Sequence, residues 1–500
     1  MHLKWRCADK PCRKNHRKHR RCDDGDRHAH GRIDSGGGQL AGASGTVTVT
    51  LTRVGGFTGN VVVAATSLPT GVTVSSQTIS GAATTATLTI AVASSATAVT
   101  VAAVSISATG TGVAIAPQSY SLTVTVPITQ IGTDITNLEL GFGSAMALSA
   151  DGTRLVVAAN GSLNGTTRVY QRSGTAWTQL GSDVVGEAAG DFSGTGVDIN
   201  AAGTRIAVGS YTNSGNGNSA GHVRVFDLIG STWTQVGADI DGNLVFVSFG
   251  TGLGWRVALS ASGNRLIAGA PIRNVLGGFA RVYDLIGGNW TQVGADLTGT
   301  NEFGDDVDIS SDGNTVAVSS PFVPSSGGPG SVQVYRLSGA NWAQVGNVLT
   351  GITTTPGIAE NFGDAISLSA NGTRIAVGAP QIVAGAPGGF RGQVRVFDLV
   401  GSTWTQVGSS VTGMDLGGTG DKFGSDLMIS DDGTRFAASA RETARGRVYT
   451  LIAGAWVQTG ADIRSTGGSD SEGIALSPDG KTVAIGSTNG RRVSVFSITP

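Results

Sequence analysis

Two hydrophobic rhythms divide the chain. Between residues 39 and 127, apolar residues alternate with Thr and Ser in the runs GTVTVTLTRV, NVVVAAT, GVTVSSQTI, ATLTIAVA, TAVTVAAVSISA and YSLTVTV. A period of two sets one side of a strand against a core and the other toward water. Six or seven short strands with Gly, Pro and Ser turns between them predict a small β-sandwich over 39–127. No charged residue occurs from 54 to 133, so hydroxyl groups alone must wet the outer faces.

From 128 to 500 the pattern becomes a repeat. Trp recurs at 177, 233, 290, 342, 404 and 456, at intervals of 52 to 62 residues. A turn Gly recurs at 152, 203, 263, 313, 372, 433 and 480, in phrases such as SADGTR and SDDGTR. One unit reads FGDAISLS (strand A), an Asn371-Gly372 turn, TRIAVGAP (strand B), a Gly-rich loop, QVRVFDLV (strand C), a Gly401-Ser402 turn, and TWTQVGSSV (strand D). Asn-Gly and Asp-Gly turns suit the twist of antiparallel hairpins. Four strands at a period near 50 predict a β-propeller blade, which buries its faces only by stacking on neighbours.

Seven turns against six Trp set the blade count. The seventh unit has strands A, B and C, and the sequence then stops without a WTQVG strand. Residues 128–135, ITQIGTDI, match that strand and have no unit before them. The expectation is a seven-bladed propeller over 128–500, closed without a covalent link by 128–135 as the outer strand of the last blade.

Composition changes the picture mainly at the N-terminus. Residues 1–32 hold 11 Lys and Arg, five of the six His and all three Cys, while the remainder has 23 basic and 31 acidic residues. A mildly acidic body offers no footprint for nucleic acid. Residues 1–38 read as a disordered basic tail and linker; Cys7, Cys12, His16, His19 and Cys22 fit no standard zinc spacing. The tail lacks the apolar stretch of a signal peptide, and its foreign composition suggests a misassigned start. Residues 86–104 are uncharged but alternate with Thr and Ser, which argues against a membrane span.

The units resemble FG-GAP repeats, the blades of integrin alpha-chain propellers and of many bacterial surface proteins. Phe-Gly stands at 142–143, 303–304, 362–363 and 423–424; Gly194 and Gly254 keep the register, and Gly-Ala-Pro occurs at 269–271 and 378–380. The seventh unit, LSPDGKTVAIGS, looks more like WD-like or YVTN-type propellers. The segment 39–127 resembles bacterial immunoglobulin-like domains in GGFTGNVVV, LPTGVTV and SLTVTV. Calcium-binding FG-GAP blades carry an Asp-rich A–B loop, whereas here that connection is a tight turn with one or two acids. Calcium takes six to eight oxygens, so blade calcium sites are expected to be absent.

The Trp residues read as packing of outer strands on neighbouring blades, and the turn Asp and Asn as turn chemistry. In an up-and-down blade the D–A and B–C loops share one face. That face carries long loops at 210–221, 271–279, 321–330 and 380–392, with Phe279, Phe322 and Phe390 as possible anchors. It also carries the acids Glu187, Asp191, Glu302, Asp305, Glu360, Asp364 and Asp421, the candidate binding residues. No catalytic constellation stands out: the body has one His, His222, no Cys, and Gly-rich stretches that join strand to strand. The chain is therefore expected to be a monomeric, non-enzymatic, secreted or cell-surface binding or adhesion protein without cofactor or metal. Its partner would be a protein or a glycan, with no nucleic acid and no membrane span. The alternative is a secreted carbohydrate-active enzyme, a glycosidase or lyase, with acids at the propeller mouth.

Overall fold

The computed structural model describes residues 29–498, apart from 34–38, 41–43, 54–57, 94–98, 111–112, 126, 162–163, 247–248, 273–276, 322–327, 353–359, 382–389, 415–419 and 466–472. The cysteines of the tail and Phe322 lie outside the described residues. The fold is all-β, built of many small antiparallel sheets. No helix among the described residues is long and apolar enough to cross a membrane. Two compact units divide at Pro127 and Ile128.

In the first unit, Ser44–Arg53 buries Val47, Val49 and Leu51 and turns its Thr residues outward, as its alternation requires. It belongs to a sheet ordered Ala29–Ile33, Ser44–Arg53, Thr85–Val92, Val72–Val74. A second sheet runs Gln39–Leu40, Val113–Thr125, Val99–Gly110, Val61–Thr66, Gln77–Ile79. Both sheets feed one core, in which Leu51, Leu88 and Ile90 of the first meet Val61, Val63, Ile106 and Leu122 of the second. One stretch of the expected tail differs from its reading. Ala29–Ile33 pairs antiparallel with Val49–Arg53 as an edge strand, because a neighbouring strand's open edge can recruit backbone whatever the side chains are.

The second unit holds seven antiparallel sheets of one build among the described residues. In the fifth repeat the order is Ile366–Leu368, Arg374–Ala379, Gln393–Val400, Thr403–Gln406, which are strands A to D. In the seventh, Ile474–Leu476, Thr482–Ser487 and Arg492–Ile498 are completed by Ile128–Gln130, with Ile128 opposite Ile498 and Gln130 opposite Phe496. Ile135 and Thr136 extend this pairing onto Val493 and Arg492.

Three contacts repeat between consecutive sheets. In five of the repeats the outer-strand Trp donates its indole N–H to the preceding sheet: Trp233 to Leu180, Trp290 to Val236, Trp342 to Val293, Trp404 to Val345 and Trp456 to Val407, at 2.8–3.0 Å, whereas the buried indole nitrogen of Trp177 has no such partner among the described residues. Each ring lies over a Gly of that sheet; a Cβ on Gly346 would come within 2.6 Å of Trp404 Cδ1. The strand-B Arg reaches the turn Gly carbonyl of the next sheet, as Arg205 does to Gly263 and Arg374 to Gly433. The A–B turns themselves are linked backbone to backbone. The N–H of Ala150 donates to Ala201 O, Ala201 to Ala261, Ala261 to Ser311, Ser311 to Ala370, Ala370 to Asp431 and Asp431 to Pro478. Pro478 has no N–H to pass on. Asp479 donates in its place, to Ala150 O at 3.3 Å, and the series returns to its start.

Candidate functional site

Strand A is the innermost strand of each sheet, so one of its edges has no strand partner. Unpaired backbone N–H groups away from water must find acceptors. Four aspartates supply them across consecutive sheets. Asp198 accepts from Ile199 and from Leu259 of the next sheet at 2.8 and 2.6 Å; Asp308 accepts from Ile309 and Leu368 at 2.7 and 2.6 Å. Asp306 accepts from Val307 and Ile366, and Asp426 from Leu427 and Ile474. At Ile429 the hydroxyl of Ser367 does the same work.

These inner edges surround a cavity of about 540 Å³ to which all seven repeats contribute. Trp255, Arg256, Asp305, Asp364, Asp426 and Arg441 are among its walls. Arg256 Nε lies 3.8 Å from Asp306 Oδ1. Desolvation lifts the carboxyls well out of their ordinary range: Asp198 and Asp364 to about 7, Asp308 and Asp426 to about 6, and Asp306 also upward. At Asp364 the neighbouring Asp305 adds to the rise, while Arg256 and Arg441 oppose it. Asp364 differs from the four edge aspartates, for its carboxyl accepts none of the inner-edge N–H groups among the described residues. Its carboxyl lines the cavity beside Asp305.

Beside the cavity lies an aromatic group. Tyr211 meets Trp255 edge to face at 4.7 Å, Phe192 lies 6.2 Å from Tyr211, and Phe192 is 41% exposed.

The structure separates the seven sequence-selected acids. Asp305 and Asp364 line the cavity together. Glu360 and Asp421 do not reach it, because each is buried against a strand-C Arg, Glu360 with Arg395 and Asp421 with Arg447. Those guanidiniums stack on Phe362 and Phe423, the Phe of the Phe-Gly pairs. Asp191 is buried and accepts the N–H of Ala188 at 2.8 Å. Glu302 is buried at φ +58°, ahead of Phe303-Gly304. Glu187 stands apart, near His222. Of the aromatic anchors, Phe279 is buried under Arg281 and Phe390 is half-buried.

Sequence reading missed Asp198, Asp306, Asp308, Asp426, Arg256 and Trp255. The available signal was an acid inside an apolar strand A, as in GVDIN, GDDVDIS and GSDLMIS. The turn acids keep to their turns: Asp432 accepts from Ser430 Oγ at 2.6 Å and from Thr434 N–H at 2.9 Å. Desolvation is the largest influence on Asp432, yet these bonds together hold its carboxyl below the ordinary range.

Neither the known protein families nor the curated proteins compared with this chain give a match.

Proposed function

We propose that the second unit is a seven-bladed propeller of FG-GAP type and that its loop-side cavity binds a hydroxyl-rich or cationic ligand, a glycan or a protein side chain. The observation that carries this reading is Asp364, a carboxyl facing the cavity beside Asp305 and free of the inner-edge N–H groups. Around it stand Arg256, Arg441 and the exposed flank of the Phe192–Tyr211–Trp255 group. Carboxyl donors and acceptors next to aromatic faces suit polyols, which present apolar C–H faces and hydroxyl rims. Support for the propeller comes from the cyclic series of turn hydrogen bonds and from the completion of the seventh sheet by residues 128–136. In this reading the protein is a secreted or surface binder, and the first unit is an immunoglobulin-like sandwich.

The carbohydrate-active enzyme is the second reading, favoured by the carboxyl of Asp364 sitting at about 7, where a general acid would work. A glycosidase needs a second carboxylate to act as base or nucleophile. Asp198, Asp306, Asp308 and Asp426 each hold two backbone N–H groups, which leaves Asp305, beside Asp364 in the cavity wall, as the carboxylate for that role.

Glycan and protein arrays probed with the full chain, alongside polysaccharide hydrolysis, test the choice. Asp364→Asn is expected to lower array binding by at least about tenfold, while Asp432→Asn leaves it intact, since Asn suits that turn equally well. Hydrolysis abolished by Asp364→Asn would establish the enzyme. Binding lost only in Asp432→Asn would move the working surface to the opposite face.

A further inference from the structure

In a repeat protein, a departure from the repeat is the informative place, and the second repeat departs around His222. In the other repeats with this layout, the Asp after strand D takes two partners, a Gln four residues before it and the Arg of strand C. Gln179 and Arg168 hold Asp183 in this way, and Gln292 and Arg281 hold Asp296. In the second repeat, Gln235 still donates to Asp239 Oδ1 at 2.7 Å. Arg224 does not reach Asp239, however, and donates to Val185 O of the preceding sheet at 2.7 Å. Asp239 Oδ2 faces the imidazole of His222 instead, 3.7 Å from Nδ1. Glu187, in the connection after the first sheet, brings Oε2 to 3.8 Å from the same nitrogen.

We propose that Glu187, His222 and Asp239 form a divalent transition-metal site, with zinc as the best-fitting ion. The three donor atoms lie within 4.8 Å of one another. The gaps from Nδ1 are too long for hydrogen bonds. Tetrahedral zinc with ligands at roughly 2.0–2.2 Å sets them about 3.3–3.6 Å apart, so each gap has a few tenths of an ångström to close. Glu187, 45% exposed, is free to move the last fraction inward. His222 is 1% exposed, and its Nε2 is buried without a hydrogen-bond partner among the described residues, while Nδ1 faces the two carboxylates. Leaving such a group unsatisfied costs about 1–3 kcal/mol.

Asp239 uses one oxygen for a hydrogen bond and presents the other to His222, and Glu187 does so with an ion pair. Glu187 Oε1 lies 3.7 Å from Arg224 Nη1, and Asp239 Oδ1 is held by Gln235. Partners of this kind orient the ligating side chains in metal sites. One imidazole and two carboxylates match zinc better than calcium, which needs six to eight oxygens. Three protein ligands also leave a position for water or for an oxygen of a bound molecule.

The probe is zinc chloride titrated into the full chain, followed by calorimetry and by melting temperature. The tail carries cysteines and histidines of its own, so the site is read as the difference between wild type and variants that share that tail. His222→Asn is expected to lose one equivalent of zinc and the zinc-induced rise in melting temperature. Glu187→Gln, at an exposed side chain, is expected to fold normally and to bind that equivalent at least about tenfold more weakly. Equal stoichiometry, affinity and melting shift in wild type and Glu187→Gln would overturn the proposal, whether or not His222→Asn folds.

Discussion

At the scale of single residues, the cavity aspartates and the buried ion pairs behave in opposite ways. Asp364 titrates near 7 in the fold against about 4 in an unfolded chain, so the folded state holds the extra proton between those values. Its contribution therefore falls as pH rises from about 4 to 7 and stays low above that. Asp364→Asn removes the penalty. Thermal unfolding is expected to show a gain on the order of a few kcal/mol at pH 8 and almost none at pH 4. A gain independent of pH would mean that the carboxyl is not desolvated. Asp421 belongs to the other kind, with Oδ2 2.6 Å from Arg447 Nη2 and both side chains at most 2% exposed. Asp421→Ala leaves a buried guanidinium without that partner and is expected to cost about 3–5 kcal/mol in denaturant unfolding. Loss of ligand binding in that variant would follow from unfolding and would not mark Asp421 as a contact.

The difference between these acids was only partly legible. Glu360, Asp364 and Asp421 all sit near a Phe-Gly pair in sequence. Glu360 and Asp421 precede Phe by two residues and turn to strand C, whereas Asp364 follows Gly directly and enters the inner edge. The Gly between them takes φ values of +89° to +99° in six repeats, which reverses the side-chain direction within two residues. A pattern of periods cannot show a reversal of that kind, because it counts positions and not backbone angles. The His222 group was hidden for another reason: Glu187, His222 and Asp239 are spread over 53 residues and two sheets.

At the scale of elements, the WTQVG strand was the clearest signal. The sequence required an explanation for Trp at one register, and the structure gives one, an indole hydrogen bond to the preceding sheet with a Gly beneath the ring. Gly346→Ala adds a Cβ against Trp404 and Leu399 at φ +75°. Gly401→Ala has a similar φ of +63° but nothing within 4 Å. The second change is expected to cost about 1 kcal/mol, from the left-handed backbone alone. The first adds overpacking of about 1–3 kcal/mol, so the two melting temperatures should rank accordingly. Equal losses would show that the Trp–Gly contact is slack. The edge strand Ala29–Ile33 was not legible, because its composition belongs to the basic tail and only the open edge of Ser44–Arg53 explains its pairing.

For the second unit as a whole, the unequal counts of Trp and turn Gly already implied that its two ends share a sheet. Ile128–Gln130 and Ile135–Thr136 both pair with Arg492–Ile498, and the turn hydrogen bonds run through all seven repeats back to Ala150. A ring has no unpaired sheet at either end, whereas an open row of the same sheets would have two. The most direct test is amide hydrogen exchange of the full chain with residues 128–136 replaced by a Gly/Ser segment of equal length. Closure predicts that protection falls along Arg492–Ile498 and spreads to Phe142–Leu148 and Arg154–Ala159 of the first repeat, with the melting temperature falling as well. Unchanged protection in the first and seventh repeats would contradict a closed ring and the cavity that depends on it.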